Sequence, residues 1–204
     1  RGSRKQMAKH DNPSSGGSAE GAKGFRDVIT RAANDFFGRL KLPGISGNVI
    51  VSLFNPLLDK SADVAADAVA DATIEKFPWL GSVLTASSIG AFAAYLEDIG
   101  NSQTSETIRT GVLKAADWIE TFGNELHKRA RNKKGPKAIA TAAPGISKFQ
   151  EKMLELVAAA ADEATRLTHE ASRAQTEEVR RLNAEKAKNM EETMRSAYAL
   201  MQMV

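Results

Sequence analysis

Residues 77–99 read FPWLGSVLTASSIGAFAAYLEDI, and what surrounds this stretch decides the fold. From Phe77 to Leu96 no charged residue appears over 20 positions, which is about the length a helix needs to cross a bilayer. Trp79 and Tyr95 stand near the two ends, as interfacial aromatics do, and Leu80, Val83, Leu84, Ile89 and Phe92 supply apolar bulk. Against a span, Ser, Thr, Gly and Ala dilute the run. Its nearest flanking charges are Glu97, Asp98 and a lone Lys76, so no excess of cations marks a cytoplasmic side. The reading adopted is the central helix of an all-α bundle, apolar all round because it is surrounded. The alternative is a membrane-associated protein that inserts residues 46–58 and 77–96 as a hairpin. Ser82, Ala86, Gly90 and Ala94 form a small-residue stripe at spacing four, which lets another helix approach closely.

The neighbouring segments support the bundle. Over 104–130, Ile108, Val112, Ala115, Ile119, Phe122 and Leu126 step by four and three, with Trp118 beside them, as one face of a helix does. Over 25–41, Phe25, Val28, Ile29, Ala32, Phe36 and Leu40 share a face, with Arg31, Arg39 and Lys41 off it. Residues 46–58, SGNVIVSLFNPLL, are apolar but short. A strand there would have no partner, so the expectation is a buried helix ending near Asn55-Pro56. LPGIS at 42–46 recurs as APGIS at 143–147. In both, the serine is placed to cap the helix that follows. Ile45 is placed to staple against Ile50, and Gln150 completes an S-x-x-Q capping box with Ser147.

Upstream of the central helix, DKSADVAADAVADATIEK (59–76) sets Asp59, Asp63, Asp67, Asp71 and Glu75 at intervals of four. A period of four on a 3.6-residue helix drifts by ~40° per step, so these carboxylates spread over a face rather than converge on one ion. The strip is read as solvated, or docked to a basic segment. The natural candidate is KRARNKKGPK at 128–137, whose cations are Lys128, Arg129, Arg131, Lys133, Lys134 and Lys137. Charge is segregated along the chain. Residues 1–44 hold nine Lys/Arg against four Asp/Glu, 45–125 four against eleven, 126–145 six against none, and 146–204 nine against ten. Such asymmetry bears on partners and internal docking more than on fold.

Residues 147–204 read as one long helix, with apolar or small residues recurring at about 3.6-residue intervals rather than in strict heptads. Between Arg166 and Lys188 this face is thin, and it ends in a Met-rich stretch. A helix of that length would reach on the order of 85 Å, so part of it must project, bend back or pack on another chain. Leu182, Met190, Met194, Tyr198 and Met201 are its expected partner or oligomer interface.

The organisation expected is therefore a disordered basic, Gly/Ser-rich tail (1–24), a helical bundle (25–130), a basic flexible linker (131–146) and a long C-terminal helix (147–204). No cysteine is present, which removes disulfides and thiolate chemistry and fits a reducing compartment. The start, RGSRKQMAKH, is basic without a following apolar stretch, so no secretory signal is expected. These features do not fix a location; a cytoplasmic or membrane-peripheral one is favoured. His10, His127 and His169 are scattered without metal-ligand spacing. GGSAEGAKG lacks the phosphate-loop pattern, and no nucleophile or metalloprotease motif appears. The expectation is a non-enzymatic structural or assembly protein without metal, cofactor or small-molecule substrate, whose partner is another protein or itself. Membrane association is the first alternative. A basic nucleic-acid-coating protein is the second and weaker one, because the cationic stretches carry no interleaved aromatics for base stacking.

Overall fold

The computed structural model describes residues 17–59, 66–131 and 145–203. Its elements are α1 (Gly17–Leu40), α2 (Gly47–Asp59), α3 (Ala66–Lys76), a 3-10 turn (Pro78–Gly81), α4 (Val83–Ser102), α5 (Glu106–Arg131), α6 (Lys148–Arg173) and α7 (Glu177–Met201). The chain is all-α, with no strand among the described residues, and its long C-terminal helix packs on the helix before it. VIVSLF is helical, and α2 continues beyond Asn55-Pro56 to Asp59. Helix α1 begins at Gly17, so residues 17–24, expected in a disordered tail, are helical.

The charge-free run 77–96 does not form one helix. Phe77 is extended, Pro78–Gly81 make the 3-10 turn, and Ser82 caps α4, its hydroxyl accepting from the Thr85 amide at 3.1 Å. Among the described residues no helix is long and apolar enough to cross a membrane. Instead α4 is the central element. Ile89, Phe92 and Leu96 are buried completely, and Ala86, Ala91, Ala93 and Ala94 nearly so. Of its buried hydroxyls, Ser88 donates to the Thr85 carbonyl oxygen at 2.7 Å, the usual way a serine is accommodated inside a helix.

The stripes along α1 and α5 close on α4. Val112, Ile119, Phe122 and Leu126 are buried, as are Ile29, Phe36 and Leu40. The small-residue stripe permits a close approach of α5. A methyl added at Gly123 of α5 would sit 3.3 Å from both the Gly90 amide nitrogen and Ile89 Cγ2, so any side chain there would push α5 off α4. One aromatic cluster ties three helices together: Phe36 and Phe37 of α1, Phe92 and Tyr95 of α4, and Phe149 of α6, with ring centroids 5.0–5.7 Å apart. Asp35 extends it with polar contacts, accepting from the Tyr95 hydroxyl at 3.0 Å and from Arg39 Nε at 2.7 Å. Burial, reinforced by that carboxylate, pushes the Tyr95 phenol above the ordinary tyrosine pKa. A second cluster joins Phe54 of α2 to Trp118 and Phe122 of α5.

Both Pro-Gly-Ile-Ser corners act as punctuation. Gly44 and Gly145 take positive φ (75° and 102°), where an L side chain is strained. The Ser46 hydroxyl accepts from the Val49 amide at 3.5 Å, and Ile45 and Ile50 are both buried. Ser147 and Gln150 form the full reciprocal box.

The periodic stretch 147–204 folds as two helices rather than one. Helix α6 stops at Arg173, and Thr176 caps α7, accepting from the Val179 amide at 3.4 Å. The two helices pack side by side as an antiparallel hairpin, and their bases complete the main core: Phe149, Met153, Leu156, Ala197 and Leu200 belong to it. Lys148, at the start of α6, donates to Glu97 of α4 and Glu120 of α5, each at 2.7 Å. Burial opposes its charge, yet the two carboxylates raise its pKa overall. All three side chains are partly exposed, so Lys148→Met is expected to lower unfolding stability by only about 1 kcal/mol at low ionic strength. The deficit should shrink in about 1 M salt, where the Debye length falls to ~3 Å. Urea titration at two salt concentrations checks this; a salt-independent loss would place the effect in packing.

Candidate functional site

The outer half of the α6–α7 hairpin forms an arm. At its base Leu167, Ala187 and Met190 are buried together, with Ala164 and Leu84 packed against them. Beyond that, from 168 to 186, only Ala171 is buried. Residues 175–182 are exposed one after another. In the helical part of that run, from Glu177 on, this covers well over one turn, so no residue on any of its faces is fully buried by the described chain. The exposed portion of α7 extends about 15 Å beyond the buried base. It carries Val179 and Leu182, 47% and 48% exposed. They lie three apart and so face the same side of α7. Charges on the arm pair locally: Arg166 bonds Glu163 and Glu170, and Arg180 bonds Glu177. These hydrogen bonds hold the Arg166 guanidinium above its ordinary pKa, with Glu163 the larger contributor.

The expected interface residues divide. Met190 is buried at the arm's base, and Met194 and Met201 pack against the main core, so the Met-rich face is covered by the same chain. Leu182 and Tyr198 are about half exposed. Of the expected membrane segment, Leu80, Ile89 and Phe92 are fully buried, and Val83, Leu84 and Tyr95 partly; the Trp79 backbone lies in the 3-10 turn.

The acidic and basic segments are only partly within the described residues. Asp59 ends α2, Asp67 and Asp71 lie on α3, and Glu75 is exposed. Asp63 lies outside the described residues, so 59–76 is not one continuous described helix. Lys128 and Arg129 occupy the last turns of α5 and bond Glu125 at 2.5 and 2.8 Å. Those bonds, Lys128's first, hold the Glu125 carboxyl below its ordinary pKa. Arg131 ends the helix, and Lys133, Lys134 and Lys137 lie outside the described residues.

A second feature had no counterpart in the sequence reading. A cleft of about 440 Å³ opens where α4, α5 and α6 meet. Ala86, Gly90 and Gly123 make an apolar floor. Above it Ser87 Oγ and His127 Nε2 share a hydrogen bond at 3.3 Å, and Asn124, Lys152 and Glu155 line the mouth. The local pattern gave no warning because Ser87 and His127 are 40 residues apart.

Comparison with protein-family models, with curated proteins and with solved structures gave no match. The functional reading therefore rests on the geometry of the arm and the cleft.

Proposed function

We propose that this chain is a non-enzymatic assembly protein that associates with further copies of itself through the outer half of the α6–α7 arm. The observation that supports this is the unbroken run of exposed residues 175–182, with Val179 and Leu182 half bare. A helix gains most of its stability by burying an apolar face, and the apolar residues of this segment are only about half covered within the described chain. Two arms laid side by side would form a four-helix arrangement and supply that cover. The charge balance favours a like partner. Residues 163–186 hold five acidic and five basic side chains, giving no net field to draw in nucleic acid or an anionic lipid surface. Mixed signs suit the self-complementary contact that a two-fold pair requires.

Mass measured by light scattering across a concentration series is the test. Wild-type mass should rise above that of one chain, and Val179→Asp combined with Leu182→Asp should return it to one chain. Both positions are exposed, so the thermal midpoint of the double variant should stay within about 2 °C of wild type. A wild-type chain that remains monomeric at the highest concentration reached would overturn the proposal.

A further inference from the structure

We infer that the α4–α5–α6 cleft is a binding site for a small organic carboxylate, held by its charge at Lys152 and by a compact apolar body on the glycine floor. At about 440 Å³ the cleft falls within the size range of ligand pockets. Its two sides differ in chemistry. Ala86, Gly90 and Gly123 leave a flat apolar strip where α5 lies against α4. Also lining the cleft are groups able to donate to an anion: the Lys152 ammonium and the Asn124 amide.

Lys152 is the decisive group. Its stem passes over Gly90, where a methyl would meet Lys152 Cδ at 3.8 Å. Its ammonium lies 3.3 and 3.4 Å from the two Glu155 oxygens. Charge-assisted hydrogen bonds settle at about 2.7–2.9 Å, so this is a loose pairing, and the ammonium is free to turn toward an incoming carboxylate. Lys128, at the same mouth, is held closely by Glu125 at 2.5 Å.

The Ser87–His127 pair invites a hydrolytic reading, but the backbone argues for binding. Ser87 sits within the first turns of α4, after the capped Ser82 and ahead of many further helical residues. The amides around it are engaged along the helix, so no free N–H pair is aimed at the place where an oxyanion would develop. The shared bond fixes the imidazole as part of the wall.

The test uses the ¹⁵N-labelled full chain titrated with benzoate, and with benzyl alcohol as a neutral body of similar shape. Benzoate should give saturable shifts at the Gly90, Gly123 and Asn124 amides, and benzyl alcohol should bind at least about tenfold more weakly. Lys152→Met, which keeps the stem over Gly90, should raise the benzoate Kd at least about tenfold. Asn124→Asp, at an exposed position where folding is not at risk, should weaken it in the same direction by adding a like charge. Shifts that never saturate, or a benzoate Kd unchanged by Asn124→Asp, would overturn the assignment. The cleft and the outer arm share no residue, so this result stands apart from the test of self-association.

Discussion

Replacing Phe36 with alanine is expected to lower the unfolding free energy by about 4 kcal/mol, the upper range for a truncated core aromatic. Phe36 is fully buried, and its ring centroid lies 5.0 Å from Phe37, 5.6 Å from Phe92 and 5.5 Å from Tyr95. Its loss would remove apolar transfer energy and edge-to-face contacts, and would leave a void between α1 and α4 that rigid neighbours cannot fill. Against a total stability of about 5–15 kcal/mol for a folded chain, that is a large fraction. Urea unfolding gives the measurement, with Leu154→Ala as the exposed control, expected to change stability by less than about 1 kcal/mol. A Phe36→Ala loss below about 2 kcal/mol would mean that the α1–α4 contact is far looser than these distances require.

The second large effect is a reversal of sign between two glycines. Within a helix, Gly→Ala ordinarily gains up to about 1 kcal/mol. Gly38→Ala should follow that rule, because an added methyl there meets nothing within 4 Å. Gly47→Ala should do the opposite. A methyl at Gly47 would lie 2.5 Å from Asn34 Cα and 2.6 Å from Asn34 N. These are backbone atoms of α1 and cannot rotate away, so α2 must shift off α1. The expected cost is about 3 kcal/mol or more, a fall in thermal midpoint on the order of 10 °C for a chain of this size. Calorimetry of the two variants side by side decides it. Equal midpoints would show that α2 does not seat on Asn34 as described.

How legible this structure is in its sequence depends on the range of the signal. The α5 stripe from Ile108 to Leu126 is local and periodic; Val112, Ala115, Ile119, Phe122 and Leu126 are core residues and Ile108 packs against them partly buried. The Ser147–Gln150 box is local and forms as expected. The break after Arg173 is harder to read, because apolar residues keep nearly the same period on both sides of it. Only Thr176 followed by Glu177 and Glu178, a cap with acids in the first turn, marks the new helix. The charge-free count from Phe77 to Leu96 measures composition and is blind to the Ser82 cap inside it. The Met-rich end shows the same gap. Its apolar character is plain in the chain, but whether Met190 meets another chain or Leu167 of its own depends on a turn that periodicity does not report. The cleft is illegible from any one segment, since its walls come from three helices.

One contact has a kinetic meaning. Arg39, at the end of α1, donates to Met203, just past α7, across 164 residues of chain, and Ala197 and Leu200 fill the core to which α1 contributes. The packing of α4 on α5 and of α6 on α7 joins sequence neighbours and requires little loop closure. The α1–α7 seam requires nearly the whole chain to be brought round. Helical hairpins are therefore expected to form on the timescale set by local contacts, ahead of the α1–α7 seam. The expected order is local pairing of α4 with α5 and of α6 with α7 before the α1–α7 seam closes, and stopped-flow refolding with a probe at Tyr95 and another at Trp118 checks it.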